Sequence, residues 1–228
     1  EIDEFVIRDN EIIFANISEK KALNKFRKVL DKGLMNIKSK VTGKKAVFVH
    51  KNSGIPLIGT PYFGIIDRNT SLLEVRPIAG CNLNCIYCSV DEGISTRKNT
   101  DFIVEKEYIL QEAEKLIAYK GNKAEIDVQI NSQGEPTMYY DLPGLVKGLK
   151  ELGVRHVSLI TNGTLIDKND IDALKAAGLD RVNLSLNAID RIAAIKVAGC
   201  KYDVEQIKDI AVYIASKMKL LIAPVLVP

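Results

Sequence analysis

From residue 71 to residue 227 the chain alternates short apolar, β-branched runs with amphipathic stretches, and that rhythm constrains its fold more than any other feature. Residues 72–77, 125–131, 157–161, 182–186 and 220–227 read as strands. Residues 104–120, 142–152, 168–177 and 204–217 read as helices, with Gly153 and Gly178 closing two of them. Strand-helix alternation of this kind implies a parallel sheet with right-handed crossovers. The expected class is therefore α/β, a partial (βα)-type parallel barrel over residues 70–228, with the apolar faces of its helices covering one side of the sheet. A complete barrel of this kind would carry at least one more unit, so the sequence reads as truncated at its C-terminus or as an open partial barrel. In parallel sheets ligands gather at the carboxyl ends of the strands, and those ends are where functional residues are sought.

Residues 1–69 read as a separate, small α+β unit. Residues 5–8 and 12–17 look like strands around the turn Asp9-Asn10. Ser18 is placed to cap a helix, in which Ala22, Phe26, Val29 and Leu30 recur at helical spacing until Gly33 ends it. A strand at 46–49 and a Gly- and Pro-rich connector at 51–64 complete the unit. Between Lys20 and Lys45 lie ten basic residues against one acid, Asp31. Such a stripe fits a nucleic-acid surface, with Lys20, Lys21, Lys25, Arg27 and Lys28 as the RNA contacts. A solvated lysine-rich helix face is the plainer explanation, and Phe26 is the one aromatic residue within the stripe.

A hydrophobic content of 46% with 27% charged residues is that of a soluble globular chain, and a net charge of +3 says little about partners. No apolar run reaches the ~18–20 residues of a membrane span, and the acidic start Glu1-Ile2-Asp3-Glu4 has no signal-peptide pattern. The expectation is a cytoplasmic protein without a membrane partner. The missing initiator Met reads as a trimmed chain.

Three of the four cysteines fall in Gly80-Cys81-Asn82-Leu83-Asn84-Cys85-Ile86-Tyr87-Cys88, directly after the first strand of the parallel sheet, and Cys200 stands apart. Clustered cysteines point to a metal site in a reducing compartment, whereas a disulfide framework disperses them in pairs. Soft thiolates suit iron. Three of them on a 4Fe-4S cubane leave one iron open to a small molecule, which catalysis needs. Zinc is the alternative, but it wants a fourth ligand from a second knuckle or a His pair, and His50 and His156 are isolated.

The spacing Cys-x3-Cys-x2-Cys, with the aromatic Tyr87 before the last Cys, resembles the signature of the radical S-adenosylmethionine superfamily. The resemblance implies a partial barrel, a 4Fe-4S cluster on Cys81, Cys85 and Cys88, and S-adenosylmethionine chelated to the open iron. It implies reductive cleavage of S-adenosylmethionine to a 5′-deoxyadenosyl radical, hydrogen abstraction from a substrate, and an electron donor of the ferredoxin or flavodoxin type. Gln133-Gly134-Glu135-Pro136 resembles the family's Gly-Gly-Glu-Pro motif, which holds the methionine ammonium. An ammonium wants a carboxylate and backbone carbonyls, Gly134 permits close approach, and Pro136 stiffens the turn. Gln133 departs from the motif's first glycine. Thr161-Asn162 and Ser185 with Asn187 resemble the family's polar strand ends that contact the ribose and carboxylate. Tyr87 completes the cofactor set. Each of these segments also makes a good turn without any ligand. Residues 223–226 offer apolar packing for adenine. Cys200 is a substrate-facing thiol or a buried cysteine, and Asp91 and Glu92 bind substrate or cap a helix.

The longer stretch 74–93 is similar to archaeal predicted Fe-S oxidoreductases of unknown substrate, whose fuller members carry an RNA-binding barrel of the TRAM type. That resemblance implies an oxidoreductase or transferase acting in RNA or tRNA modification. The same chemistry on a peptide, lipid or metabolite is the alternative within the class. Outside it stand a non-catalytic Fe-S electron carrier and an RNA-binding module. A carrier would normally close its cluster with a fourth cysteine.

Overall fold

Local sequence sets each element, and pairing then decides which elements belong together. The computed structural model describes residues 5–8, 11–90, 100–122 and 125–225. The chain divides into two units, Glu1–Lys38 and Ser39–Pro228. In the first, β1 (Phe5–Arg8) pairs antiparallel with β2 (Glu11–Phe14), and α1 (Glu19–Met35) follows. Strand β2 ends before the expected residue 17, where Asn16 turns the chain with a φ of 55°. Ser18 stands at the N-cap of α1 without a side-chain cap bond. The helix runs through Gly33 and stops at Asn36, whose side-chain amide donates to Lys32 O at 2.8 Å. No residue of α1 is buried, so Val29 and Leu30, expected at core spacing, are exposed.

The second unit begins with β3 (Lys45–Val49), β4 (Gly64–Asp67), β5 (Leu72–Arg76), β6 (Ile78–Gly80), β7 (Thr100–Val104) and α2 (Lys106–Lys120). Next come β8 (Asp127–Ile130), β9 (Gln133–Gly134), α3 (Leu142–Glu151), β10 (His156–Thr161) and α4 (Lys168–Ala176). It closes with β11 (Arg181–Leu184), α5 (Arg191–Ala198), α6 (Val204–Lys217) and β12 (Lys219–Ile222). The main sheet has the order β12-β11-β10-β8-β5-β4. Five of its strands are parallel, and β4 is antiparallel to β5 at the edge. The class is α/β, as expected, with an open sheet. Val128, Ile130, Val157, Leu159, Val182 and Leu184 alternate onto one face and are fully buried. Leu145 and Leu149 of α3, Ile171 and Leu174 of α4, and Ile207 and Ile214 of α6 are buried in the same core. Among the described residues no helix is long and apolar enough to cross a membrane.

A second sheet of order β3-β7-β6-β9 was not foreseen. Its strand β7 occupies the start of the expected helix 104–120, so α2 begins only at Lys106. The expected division at 69/70 falls inside the second unit, because β3 pairs with β7 and β4 with β5. Helix α5 was also unforeseen. Asp190 caps it by accepting from Ala193 N, and left-handed Gly199 stops it. Strand β12 ends at Ile222 rather than 227, and residues 226–228 lie outside the described residues, as do Asp91 and Glu92.

Asp141 joins α2 to α3. Its carboxylate caps α3 by accepting from Gly144 N at 3.0 Å and pairs with Lys106, which holds its carboxyl below the ordinary 3.8. A lowered carboxyl stabilises the fold above pH 3.8, and that share is lost as pH falls through the folded value. Asp141→Asn keeps a cap acceptor and is expected to lose under about 1 kcal/mol near neutrality, as the pair is partly exposed. Asp141→Ala is expected to lose about 1 kcal/mol more with the cap. Urea titrations near neutral and near about pH 3 check this: the gap between wild type and Asp141→Asn must close in acid.

Candidate cofactor site

The site is built where the carboxyl ends of β5, β8, β10 and β11 meet the short strands β6 and β9. Strands β6 and β9 pair in parallel, Ala79 with Gln133 and Gly80 with Gly134. Gly134 has a φ of +148°, and a Cβ there would lie 1.9 Å from Gly80 O. Only glycine fits such an approach. Glu135 N donates to the same oxygen at 2.8 Å. The start of the cysteine loop and the Gln-Gly-Glu-Pro turn are thereby locked together.

Glu135 is 1% exposed. Its Oε1 accepts from Thr137 N (3.0 Å), Thr137 Oγ1 (2.7 Å) and Thr161 Oγ1 (2.6 Å), and its Oε2 accepts from Asn162 N (2.8 Å). Burial pushes its carboxyl up, against the pull of these donors. The side chain thus ties the end of β8 to the end of β10. Thr161 is spent in that network. The side chain of Asn162 is spent too, donating to Asn82 Oδ1 at 3.0 Å and accepting from Thr164 N at 2.9 Å. Both side chains are thus hydrogen-bonded within the protein where they line the site.

The cysteine loop is anchored at two places. Near its start, Asn82 Nδ2 donates to Thr164 Oγ1 at 2.7 Å. In its middle, Asn84 N donates to Ala198 O at 3.0 Å and Ile86 N to Val197 O at 3.1 Å. Gly199 lies so close that a Cβ would sit 1.9 Å from Asn84 O. The Tyr87 hydroxyl accepts from Asn187 Nδ2, and Asn187 Oδ1 accepts from Val225 N at 2.8 Å.

A cavity of about 190 Å³ results. Cys81, Cys85, Cys88, Tyr87, Gly134, Glu135, Thr161, Asn162, Ser185 and Asn187 all line it. Of the expected residues, Gln133 and Pro136 do not. Gln133 pairs with Ala79, and Pro136 is buried as the first residue of a short turn. Of the lining residues that were missed, two carry hydroxyls, Ser132 and Tyr202. Their hydroxyls are buried without a partner. Ser132 follows β8 directly and was findable by the strand-end rule, whereas nothing in the sequence marks Tyr202. Cys200 is half-buried, with its sulfur 3.7 Å from Lys201 O, and close enough to Cys85 to disfavour its thiolate. His156 contacts Asp127 at the opposite, amino end of the sheet.

The donor set fits an iron-sulfur cluster. Burial pushes the Cys81 thiol up to about 12 and raises that of Cys85, so both need a cationic centre to become thiolates. Among the described residues no three His, Cys, Asp or Glu side chains gather closely enough for a single ion such as zinc. The unpartnered Ser132 and Tyr202 hydroxyls suit a polar ligand beside the thiols. Fold and site together define an α/β protein built to hold an Fe-S cluster at the carboxyl end of a parallel sheet.

The chain belongs to the radical SAM superfamily, whose family model matches residues 75–228. It is 46% identical over 200 residues to the uncharacterized protein MJ0103 of Methanocaldococcus jannaschii, covering 85% of this chain and 45% of that one. It is 41% identical over 119 residues to a probable GTP 3',8-cyclase of Saccharolobus islandicus strain Y.N.15.51, covering 52% of this chain and 35% of that one. The chain thus spans less than half the length of these relatives. Among solved structures, the radical S-adenosylmethionine methyltransferase TsrM from Kitasatospora setae, with cobalamin and a [4Fe-4S] cluster bound, gives a TM-score of 0.52 at 15% identity, over 66% of this chain and 30% of that one. Streptococcus suis SuiB bound to its precursor peptide gives 0.50 at 20% identity, over 94% and 40%. At those identities the likeness is one of fold.

Proposed function

We propose that this chain is the catalytic core of a cytoplasmic enzyme that cleaves S-adenosylmethionine reductively and takes a hydrogen atom from RNA, in tRNA modification. The observation that carries the reading is the convergence of three thiols and the Gly134-Glu135 turn on one cavity. When bound, the cluster supplies one electron to the sulfonium of S-adenosylmethionine, which yields methionine and a 5′-deoxyadenosyl radical. The chain's own residues bind and orient. Cys81, Cys85 and Cys88 hold iron. Gly134 and Glu135 meet the methionine ammonium with a backbone edge and a buried negative charge. Ser132 and Ser185 offer hydroxyls to the carboxylate and ribose, and the apolar wall of Leu83, Ala194 and Val197 keeps water from the radical. A ferredoxin- or flavodoxin-type protein supplies the electron.

Helix α1, basic and without buried residues, supports RNA as the substrate. Similarity to probable GTP 3',8-cyclases, named for a nucleotide, points the same way. Replacing Lys20, Lys21, Lys25, Arg27 and Lys28 by Gln is expected to weaken tRNA binding and flatten its salt dependence. The slope of log affinity against log salt falls by about 0.7–0.9 for each phosphate that the variant no longer neutralises. Binding that keeps its slope would direct the search to a peptide, lipid or metabolite.

Cys200, lying near Cys85, favours one second reading, an electron carrier whose cluster four cysteines close. Electron paramagnetic resonance of the reduced cluster separates the two. S-adenosylmethionine is expected to change the signal equally in wild type and Cys200→Ala. Loss of the cluster in Cys200→Ala, with no response to S-adenosylmethionine in wild type, would establish the carrier.

A further inference from the structure

Two phenols, Tyr87 and Tyr202, line the cavity together with Cys85. Tyr87 lines the cavity beside Cys85, and its hydroxyl is near enough to the Cys85 side chain to favour the thiolate there. It also accepts from Asn187 Nδ2. A phenol has one proton. With Asn187 donating to the oxygen, that proton is left for the sulfur, and a thiolate can only accept. Asn187 cannot turn away easily, because its Oδ1 is held by Val225 N at 2.8 Å.

The second phenol arrives from the α5–α6 connection. Tyr202 is 8% exposed, lines the cavity, and its hydroxyl is buried without a partner. The segment leading to it is fixed to the cysteine loop by the Asn84–Ala198 and Ile86–Val197 bonds and by the close approach of Gly199. Its hydroxyl thus belongs to a cavity-lining side chain whose segment is tied to the loop that carries Cys85, with a hydrogen bond still to make. Cys81, by contrast, receives a backbone N–H from Leu83 at 3.4 Å.

Hydrogen bonds to the sulfurs of an iron-sulfur centre raise its reduction potential, because the added electron places more negative charge on sulfur. We propose that Tyr87 and Tyr202 donate hydrogen bonds to the Cys85 side of the cluster and hold its reduction potential up, with Asn187 acting through Tyr87 as a positioning residue. The inference rests on the cluster reading of the site and assigns the two tyrosines a role beyond ligand binding.

The test is a potentiometric titration, followed by electron paramagnetic resonance, of anaerobically reconstituted wild type, Tyr87→Phe, Tyr202→Phe and the double variant, with iron counted in each. Both Phe variants are expected to shift the midpoint to more negative values, and the double variant further than either. Asn187→Ala is expected to shift wild type in the same direction and to add nothing on the Tyr87→Phe background. If a Phe variant loses iron, 3-fluorotyrosine at that position keeps the ring and strengthens the donor, and the midpoint must then move up. An iron-replete double variant with the wild-type midpoint, or a fluorotyrosine protein with no shift, overturns the proposal. Wild type that assembles no cluster at all defeats the underlying reading instead, so the two failures are distinguishable.

Discussion

Replacing Glu135 by alanine is expected to remove about 3 kcal/mol of unfolding free energy near pH 7, and to do so more severely at lower pH. The carboxylate is the common acceptor for Thr137, Thr161 and Asn162. Without it the buried Asn162 N–H and the part-buried Thr137 N–H are left unpaired, at about 1–3 kcal/mol for each fully buried group. Partial relief of the burial penalty on the charge offsets some of that loss. The pH dependence follows from the sign. Burial raises this carboxyl above its ordinary 4.5, so the folded chain holds the proton more tightly than the unfolded chain does. Its stabilisation is greatest below pH 4.5 and declines as pH rises through the folded value. The penalty of Glu135→Ala must therefore be larger near about pH 5 than near about pH 8, as measured by urea denaturation. A penalty that grew with pH would show the carboxyl to be lowered instead. The β8 and β10 strand ends would also separate, so iron uptake should fall with stability.

Gly134→Ala is the second large effect. The new Cβ would lie 1.9 Å from Gly80 O and 2.4 Å from Gly80 C, both backbone atoms. The φ of +148° adds strain of about 1–3 kcal/mol for any other residue, and overpacking adds about 1–3 kcal/mol more. A total near 4 kcal/mol is expected, with loss of the β6–β9 pairing and of iron binding. Gly80→Ala is the contrast. It shares the φ of +148°, but its Cβ would meet the Asp101 side chain at 2.8 Å, and a side chain can rotate. Urea denaturation and iron content of the two variants check the order. Equal losses would mean that strain alone matters and that the close backbone approach does not.

The parallel strands and most of their helices were legible because each carries its own periodicity. Helix α6, residues Val204–Lys217, has five buried apolar residues at helical spacing and falls within its expected bounds. The cysteine loop was legible because three thiols in eight positions have few other uses. The second sheet was not. Strands β6 and β9 are three and two residues long, too short for any alternation, and exist only through pairing. Strand β7 escaped because Phe102, Ile103 and Val104 run directly into the apolar pattern of the helix expected from residue 104. Helix α5 escaped because apolar residues lie on its outer face as well, with Ile192 79% exposed. Tyr202 sits in no motif. It reaches the cavity only because α5 folds back onto Asn84 and Ile86. Thr161 and Asn162 were found by type and position, yet their hydrogen bonds run to Glu135 and Asn82, which sequence could not reveal.

Three cysteines and the Gly134-Glu135 turn line one cavity, and its proposed use is radical chemistry. Its most direct test is anaerobic reconstitution with iron and sulfide, reduction with dithionite in the presence of S-adenosylmethionine, and assay for 5′-deoxyadenosine. Wild type is expected to produce 5′-deoxyadenosine, and alanine at Cys81, Cys85 or Cys88 to abolish it. A reducible cluster that yields none, in this chain and in the full-length protein alike, or turnover that persists without the cysteines, would contradict that proposed use.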